Sequence, residues 1–256
     1  MHKLSLSIVI PTYNEKDNIS KILGKLKKAL KGIAYEIIFV DDNSPDGTSR
    51  EIKNFMKKSS DIRLIHRIGR RGLSGAVIEG IFAATSELVA VMDCDLQHDE
   101  TKLSEMLQLF SKSSSLDLVI GSRFTEKGEI SDKAFSKIRE LGSKITTLLV
   151  KSFLNINSSD PLSGFFMVKK ETFLRSTHKL QTQGFKILAD FLATEGEDIE
   201  IKEIGYKFKN RVAGESKMSF LTVLELMGLV LSQIFKGKVS IRFILFCMVG
   251  LSGIFV

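Results

Sequence analysis

Short apolar runs alternate with stretches of helical periodicity along the first half of the chain, and each run stops at polar or acidic residues. Residues 4–10 predict a buried strand stopped by Pro11, and the polar turn 12–17 leads into a helix over about 18–30. Residues 35–40 predict a second strand, running into Asp41 and Asp42. The dense turn signal Asn43-Ser-Pro-Asp-Gly47 then precedes a helix over 48–58. A short strand at 62–65, a basic glycine-rich loop from Gly69 to Gly75 and a helix over 76–84 come next. The run Leu88-Val-Ala-Val-Met92 ends at Asp93 and Asp95, one residue apart. Strands alternating with helices across short crossovers predict an α/β fold, a mostly parallel sheet flanked by helices on both faces.

The second half is less regular. Residues 116–121 predict a strand whose end delivers Arg123, and Asp160-Pro-Leu-Ser-Gly164 reads as a turn entering a strand that reaches Val168. A helix over about 133–153 mixes Arg139, Lys144 and Lys151 with apolar residues and Ser143, and Gly184-Phe-Lys186 opens another. Residues 199–204 predict a strand, followed by a basic loop over 207–217. Residues 220–235 predict a helix whose one charge is Glu225; it reads either as a core helix or as one lying in a membrane interface between Lys217, Lys236 and Lys238. The tail 241–256 is apolar apart from Arg242 and shorter than the roughly 20 residues that cross a bilayer.

Composition narrows the picture a little. At 256 residues the chain can bury a large α/β core without disulfide or metal staples. A formal charge of +7 suits a surface that meets phosphate, without choosing between nucleic acid, anionic lipid and small anions. Cys94 and Cys247 form no spaced framework, which fits a reducing compartment. Met1-His-Lys-Leu-Ser leads straight into a strand with no secretory leader, so the chain is expected to begin in the cytosol.

The chemistry collects where the strands end. Parallel strands bring Tyr13, Glu15, Asp42, Asp93 and Asp95 to one carboxyl edge, where open α/β sheets bind ligands. Like charges gathered there are costly unless cations or donors offset them, which predicts a site. Asp93 and Asp95, with Gln97 at the next alternate position, offer the hard oxygens that Mg²⁺ or Mn²⁺ takes beside a nucleotide diphosphate. The same acids could instead solvate the strand end or cap the helix after it. His66 and His98 stand at no ligand spacing with another histidine and are read as structural or peripheral. The glycines at 69, 72 and 75 match neither a Walker loop nor a dinucleotide fingerprint, and predict an active-site flank.

Seven landmarks stand in order: Val9-Ile-Pro-Thr-Tyr-Asn-Glu15, Val40-Asp-Asp-Asn-Ser-Pro-Asp-Gly-Thr48, Met92-Asp-Cys-Asp-Leu-Gln-His98, Gly121-Ser-Arg123, Asp160-Pro-Leu-Ser-Gly-Phe165, Gly184-Phe-Lys186 and Arg211-Val-Ala-Gly-Glu-Ser-Lys217. Through them the whole chain resembles the polyprenyl-phosphate glycosyltransferases of the inverting GT-A type (glycosyltransferase family 2), most nearly the dolichyl-phosphate mannose synthases. The resemblance implies a GT-A catalytic domain over 1–216, an interfacial amphipathic helix region over 217–237 and an apolar tail over 238–256 that starts a membrane segment. It implies a membrane-associated, metal-dependent enzyme, its active site on the cytoplasmic face, moving mannose from GDP-mannose to dolichyl or another polyprenyl phosphate.

By the same resemblance, Pro11, Tyr13, Glu15, Val40 and Asp42 hold the guanosine, while Asp93, Cys94, Asp95 and Gln97 surround the diphosphate. Asp93, Asp95 and Gln97 are the implied ligands of Mg²⁺ or Mn²⁺. Arg211 and Lys217 sit on a loop closing over the diphosphate, and Arg123, Arg139 and Ser143 cradle the lipid's phosphate, with Lys137 competing for the place of Arg139. Asp95, Arg123, Arg211 and Lys217 carry the catalysis in this reading. Hexosyl transfer from a UDP-sugar is the alternative within the class, and a catalytically inactive membrane scaffold the alternative outside it. The clustered acids and the lack of a binding module predict no nucleic-acid partner.

Overall fold

The structure, a computed structural model, describes residues 5–125, 129–130, 158–180, 187–195 and 198–209. In chain order the elements are β1 (Ser5–Thr12), α1 (Lys16–Ala29), β2 (Ala34–Asp41), α2 (Thr48–Met56), β3 (Ile62–His66), α3 (Leu73–Ala83), β4 (Leu88–Val91), α4 (Lys102–Lys112) and β5 (Leu116–Ser122). There follow β6 (Glu129–Ile130), β7 (Phe166–Lys169), α5 (Lys170–Ser176), α6 (Ile187–Glu195), β8 (Glu200–Gly205) and β9 (Lys207–Phe208).

Seven strands form one sheet in the order β3-β2-β1-β4-β7-β5-β8. The pairings are parallel except those of β7, which runs antiparallel to β4 and β5. The expected α/β fold with a mostly parallel sheet is therefore what forms. The chain winds outward from β1 to β3 and then returns to lay β4 on the other side of β1. That reversal makes the carboxyl ends of β1 and β4 the switch point, where doubly wound sheets open a crevice.

Alternation along each strand feeds two cores. Leu6, Ile8 and Ile10 of β1 face a layer with Ile19, Ile22 and Leu26 of α1, Ile52 of α2, and Leu103 and Met106 of α4. Val9 between them faces the opposite layer, with Val77 and Ile81 of α3, Phe173 of α5 and Phe191 of α6. Gly80 lets α3 sit close on β1, since a Cβ there would lie 2.3 Å from Val9 Cγ1.

Several boundaries differ from the pattern-based expectation. β1 continues through Pro11, which pairs with Val40. Its missing N–H is tolerated because β4, on the other side, ends with Val91 opposite Val9. α3 begins at Leu73, so Gly75 lies inside the helix. Lys207 and Phe208 form a short strand paired in parallel with Glu129 and Ile130 where a loop was expected. α4 had no counterpart in the expectation, although Leu103, Met106, Leu107 and Phe110 are its buried residues at helical spacing. The helices expected over 133–153 and 220–235, the helix opening at 184–186 and the tail 241–256 lie outside the described residues. Among the described residues no helix is long and apolar enough to cross a membrane.

At the sheet edge away from the crevice, Glu36 accepts from Ser7 Oγ at 2.6 Å, Thr85 N at 2.7 Å and Oγ1 at 2.6 Å, and Arg63 Nη1 at 2.8 Å. Burial alone would raise its pKa, but these donors outweigh it and hold the carboxyl at about 2, below its ordinary 4.5. A depressed folded value stabilises the fold above the unfolded pKa and loses that contribution as pH falls from 4.5 towards 2. Glu36→Gln is therefore expected to destabilise the protein less at about pH 3 than at about pH 6. Thermal melts at the two values check this, and an equal loss at both would refute it.

Candidate active site

The first two landmarks hold each other. Asn14 N–H donates to Ser44 Oγ (2.9 Å), Glu15 N–H to Thr48 Oγ1 (3.0 Å) and Lys16 N–H to Asp46 Oδ2 (3.1 Å), so the turn after β2 shapes the turn after β1. Asp41 is the turn's internal anchor, accepting from Thr12 Oγ1, Ser44 N and Oγ, and Ser49 Oγ while fully buried. Asn14, Asn43 and Leu96 all adopt left-handed backbone, with φ of 58°, 57° and 66°. Each follows one of β1, β2 and β4, and for a bulky residue such as Leu96 this is a costly conformation that clusters at functional sites.

Asp42 is buried and faces the loop between β3 and α3. Its Oδ1 accepts from Arg67 Nη1 at 2.5 Å and its Oδ2 from Gly72 N–H at 2.8 Å. Arg67, itself buried, also donates to Glu79 Oε1 at 3.1 Å. Arg71 lies over the Tyr13 ring, 5.0 Å from its centroid. The glycine-rich loop thus packs beside Asp42 and Tyr13, through Arg67 and Arg71, which were not among the expected site residues. Val40 and Cys94 place their side chains in the two cores, Val40 under α3 and Cys94 on the α1 and α4 side.

Beyond β4, Asp95 is 5% exposed and its Oδ1 takes the Gln97 N–H at 3.1 Å. Gln97 Nε2 donates to Lys209 O at 3.0 Å, and Lys209 N–H returns to Gln97 O at 2.9 Å. The Asp93 side chain is more open, 40% exposed. A Cβ on Gly164 would come within 2.9 Å of Asp93 Oδ2, so the Asp160–Phe165 landmark closes on this carboxylate through a residue with no side chain. Asp93 also lines a cavity of about 80 Å³ whose other walls include Leu73, Val77, Val91, Leu162 and Phe166. Among the described residues no group of three or more His, Cys, Asp or Glu is placed to hold a metal; the candidate donors are this acid pair and the Gln97 amide.

Arg123 is held on the far side of the crevice. Its Nε and Nη2 donate to Asp160 Oδ2 and Oδ1, both at 2.7 Å, and its backbone N–H to Oδ2 at 3.1 Å. The guanidinium lies 5.2 Å from the Phe124 ring centre and 5.5 Å from that of Phe208. Burial works against its charge, but the Asp160 hydrogen bonds and charge prevail and raise its pKa. Tyr206 stands nearby, fully buried, its hydroxyl without a hydrogen-bond partner among the described residues. Burial, with help from Asp160, Asp93 and Asp95, pushes its pKa well up, so it remains a neutral hydroxyl. Arg139, Ser143, Arg211 and Lys217 lie outside the described residues.

His98, read as structural or peripheral, is buried among Phe165, Tyr206 and Phe208, and its Nδ1 accepts the Asp93 N–H at 3.2 Å.

A family model described as glycosyl transferase family 2 matches residues 7–175. The dolichol-phosphate mannosyltransferase of Pyrococcus furiosus is 34% identical over 99% of this chain and 70% of its own length. Those of Mycosarcoma maydis and Saccharomyces cerevisiae are 32% and 31% identical, over 97% and 87% of this chain and 86% and 84% of theirs. Among solved structures, glucosyl-3-phosphoglycerate synthase from Mycobacterium tuberculosis, bound to Mn²⁺, UDP-glucose and phosphoglyceric acid, shares the GT-A fold. Its TM-score is 0.67 at 16% identity, over 90% of this chain and 79% of that one. With a family match running from β1 into α5, and relatives this similar over most of both lengths, the chain belongs to glycosyl transferase family 2.

Proposed function

We propose that this glycosyltransferase moves mannose from GDP-mannose to dolichyl phosphate in a single displacement, giving a β-linked dolichyl mannosyl phosphate. The observation that carries the reading is the acid pair Asp93 and Asp95 leaving β4 at the sheet's switch point, in a chain whose relatives are dolichol-phosphate mannosyltransferases.

The residues present fit a divalent cation. Asp93, Asp95 and Gln97 offer hard oxygen donors, and the Gln97 amide nitrogen is already committed to Lys209 O, which leaves its carbonyl oxygen as the ligating end. Gly164 keeps the space beside Asp93 Oδ2 clear. Mn²⁺ and Mg²⁺ complexes of the glucosyl-3-phosphoglycerate synthase fold neighbour support an ion of this kind. When bound, it would supply a Lewis acid that offsets charge on the departing GDP.

The chain's own residues do the rest. Pro11, Tyr13, Glu15 and Asp42 floor the nucleoside, with Asp42 held still by Arg67 and Gly72 and the Val40 side chain buried in the core. Arg211 and Lys217 clamp the diphosphate. Arg123, with Arg139 and Ser143, receives the lipid's phosphate; because Asp160 already pairs its charge, Arg123 contributes donors at a fixed place more than net attraction. A lipid monophosphate is anionic near neutral pH, so the nucleophile needs positioning and not a general base. Its oxygen bonds to the anomeric carbon as the bond to the diphosphate breaks, and the electron pair leaves with GDP. One such displacement inverts the configuration. The acceptor's tail stays in the bilayer, so the enzyme works at a membrane surface with its active site on the cytoplasmic face, docked through the lysine-flanked apolar stretch within 217–237.

Incubating the protein with sugar-labelled GDP-mannose, dolichyl phosphate and Mn²⁺ should carry label into the organic phase, and UDP-glucose should not. Faster transfer from UDP-glucose would overturn the donor. No transfer from either, by protein that melts cooperatively, would overturn the activity.

A further inference from the structure

The mechanism above gives no task to His98, a buried titratable side chain beside the acid pair. His98 is 3% exposed and lies five residues beyond Asp93, yet the chain brings it back to that residue. The left-handed turn at Leu96 and the Gln97 N–H to Asp95 Oδ1 bond fold the intervening residues over. Asp93 N–H then donates to His98 Nδ1 at 3.2 Å. A ring nitrogen that accepts carries no proton, so in the neutral ring the proton sits on Nε2. Nε2 lies 3.7 Å from Asp93 Oδ2, an electrostatic contact longer than a hydrogen bond.

The ring is fixed independently of Asp93. It stacks on Phe165 with centroids 5.2 Å apart and planes 16° apart, and Tyr206 and Phe208 flank it at 5.8 and 5.9 Å. Asp93, by contrast, is too exposed for burial alone to select its rotamer. One rigid imidazole therefore touches both the backbone and the carboxylate of a half-exposed acid, while Gly164 bounds the same oxygen from the opposite landmark.

We infer that His98 is a positioning residue: it orients the Asp93 carboxylate towards the divalent cation. This rests on the metal reading of Asp93, Asp95 and Gln97 given above. Partners that orient a ligating carboxylate typically contribute about 10- to 100-fold in metal affinity. A histidine that only fills the aromatic cluster would contribute nothing to it.

The test is Mn²⁺ binding to the full chain in the presence of GDP, read from the free-ion EPR signal, alongside thermal melts. His98→Phe keeps the stacked ring and removes both nitrogens. His98→Gln loses the ring but puts an amide nitrogen near the place of Nε2, the atom that faces Asp93 Oδ2. The expected result is a Kd raised about 10-fold or more in His98→Phe, with His98→Gln closer to wild type. A His98→Phe Kd within about twofold of wild type, or a His98→Gln Kd no better than that of His98→Phe, overturns the inference while leaving the metal site standing. Should His98→Phe not melt cooperatively, His98→Ala serves as the variant without nitrogens. If wild type itself binds no Mn²⁺, the metal reading fails and the positioning role falls with it.

Discussion

Asp95→Asn is expected to slow mannosyl transfer by about 10²- to 10³-fold in a chain that still folds. A Lewis acid offsetting leaving-group charge is worth several kcal/mol, and about 3–4 kcal/mol corresponds to that range at 1.36 kcal/mol per decade. Asparagine is the informative replacement because its amide oxygen can still accept the Gln97 N–H that now bonds Asp95 Oδ1, preserving the turn while removing the charge. Asp95→Ala removes both, and is expected to lose thermal stability as well as rate. Single-turnover transfer of labelled mannose, run beside melts of both variants, separates the two effects. An Asp95→Asn enzyme keeping more than about a tenth of the wild-type rate would sink the metal-assisted reading, since less than 1.4 kcal/mol would then ride on the charge.

Why some of this was legible and some was not follows from how far apart the interacting residues lie. Strands buried on both faces show as continuous apolar runs, so β1, β2, β4 and β5 could be read directly, and the acids beyond β1, β2 and β4 and the arginine beyond β5 followed. The direction of β7 could not, because an apolar run carries no sign; the turn at 160–165 determines which way it enters the sheet. α4 was readable from Leu103, Met106, Leu107 and Phe110 alone, which are spaced on one helical face. The pair Asp42 and Arg67 spans 25 residues and two strands, with no local pattern to announce it. His98 was judged by its spacing to other histidines, whereas its contact is to a backbone N–H, which no side-chain motif encodes.

The largest stability loss is expected from Asp160→Ala, at about 3–5 kcal/mol, because it breaks a buried ion pair from one side. Asp160 has no exposed surface, and the Arg123 side chain is 12% exposed and set among aromatic rings. Burial already opposes the guanidinium charge, so without Asp160 that penalty stands uncompensated, and the Arg123 N–H loses its acceptor too. Arg123→Met should be costly for the mirror reason, leaving a buried carboxylate. The double variant Arg123→Met with Asp160→Leu should recover much of either loss, since replacing both partners of a buried pair with apolar groups is often close to neutral. Denaturant titrations of wild type, Arg123→Met, Asp160→Leu and the double variant form a double-mutant cycle, and strictly additive losses would mean that Asp160 does not set the position of Arg123. Transfer activity should stay low in all of these variants even where stability returns, because the fixed guanidinium proposed to receive the lipid's phosphate is gone or unanchored in each. Stability that recovers without activity would separate the pair's service to the fold from its service to the acceptor.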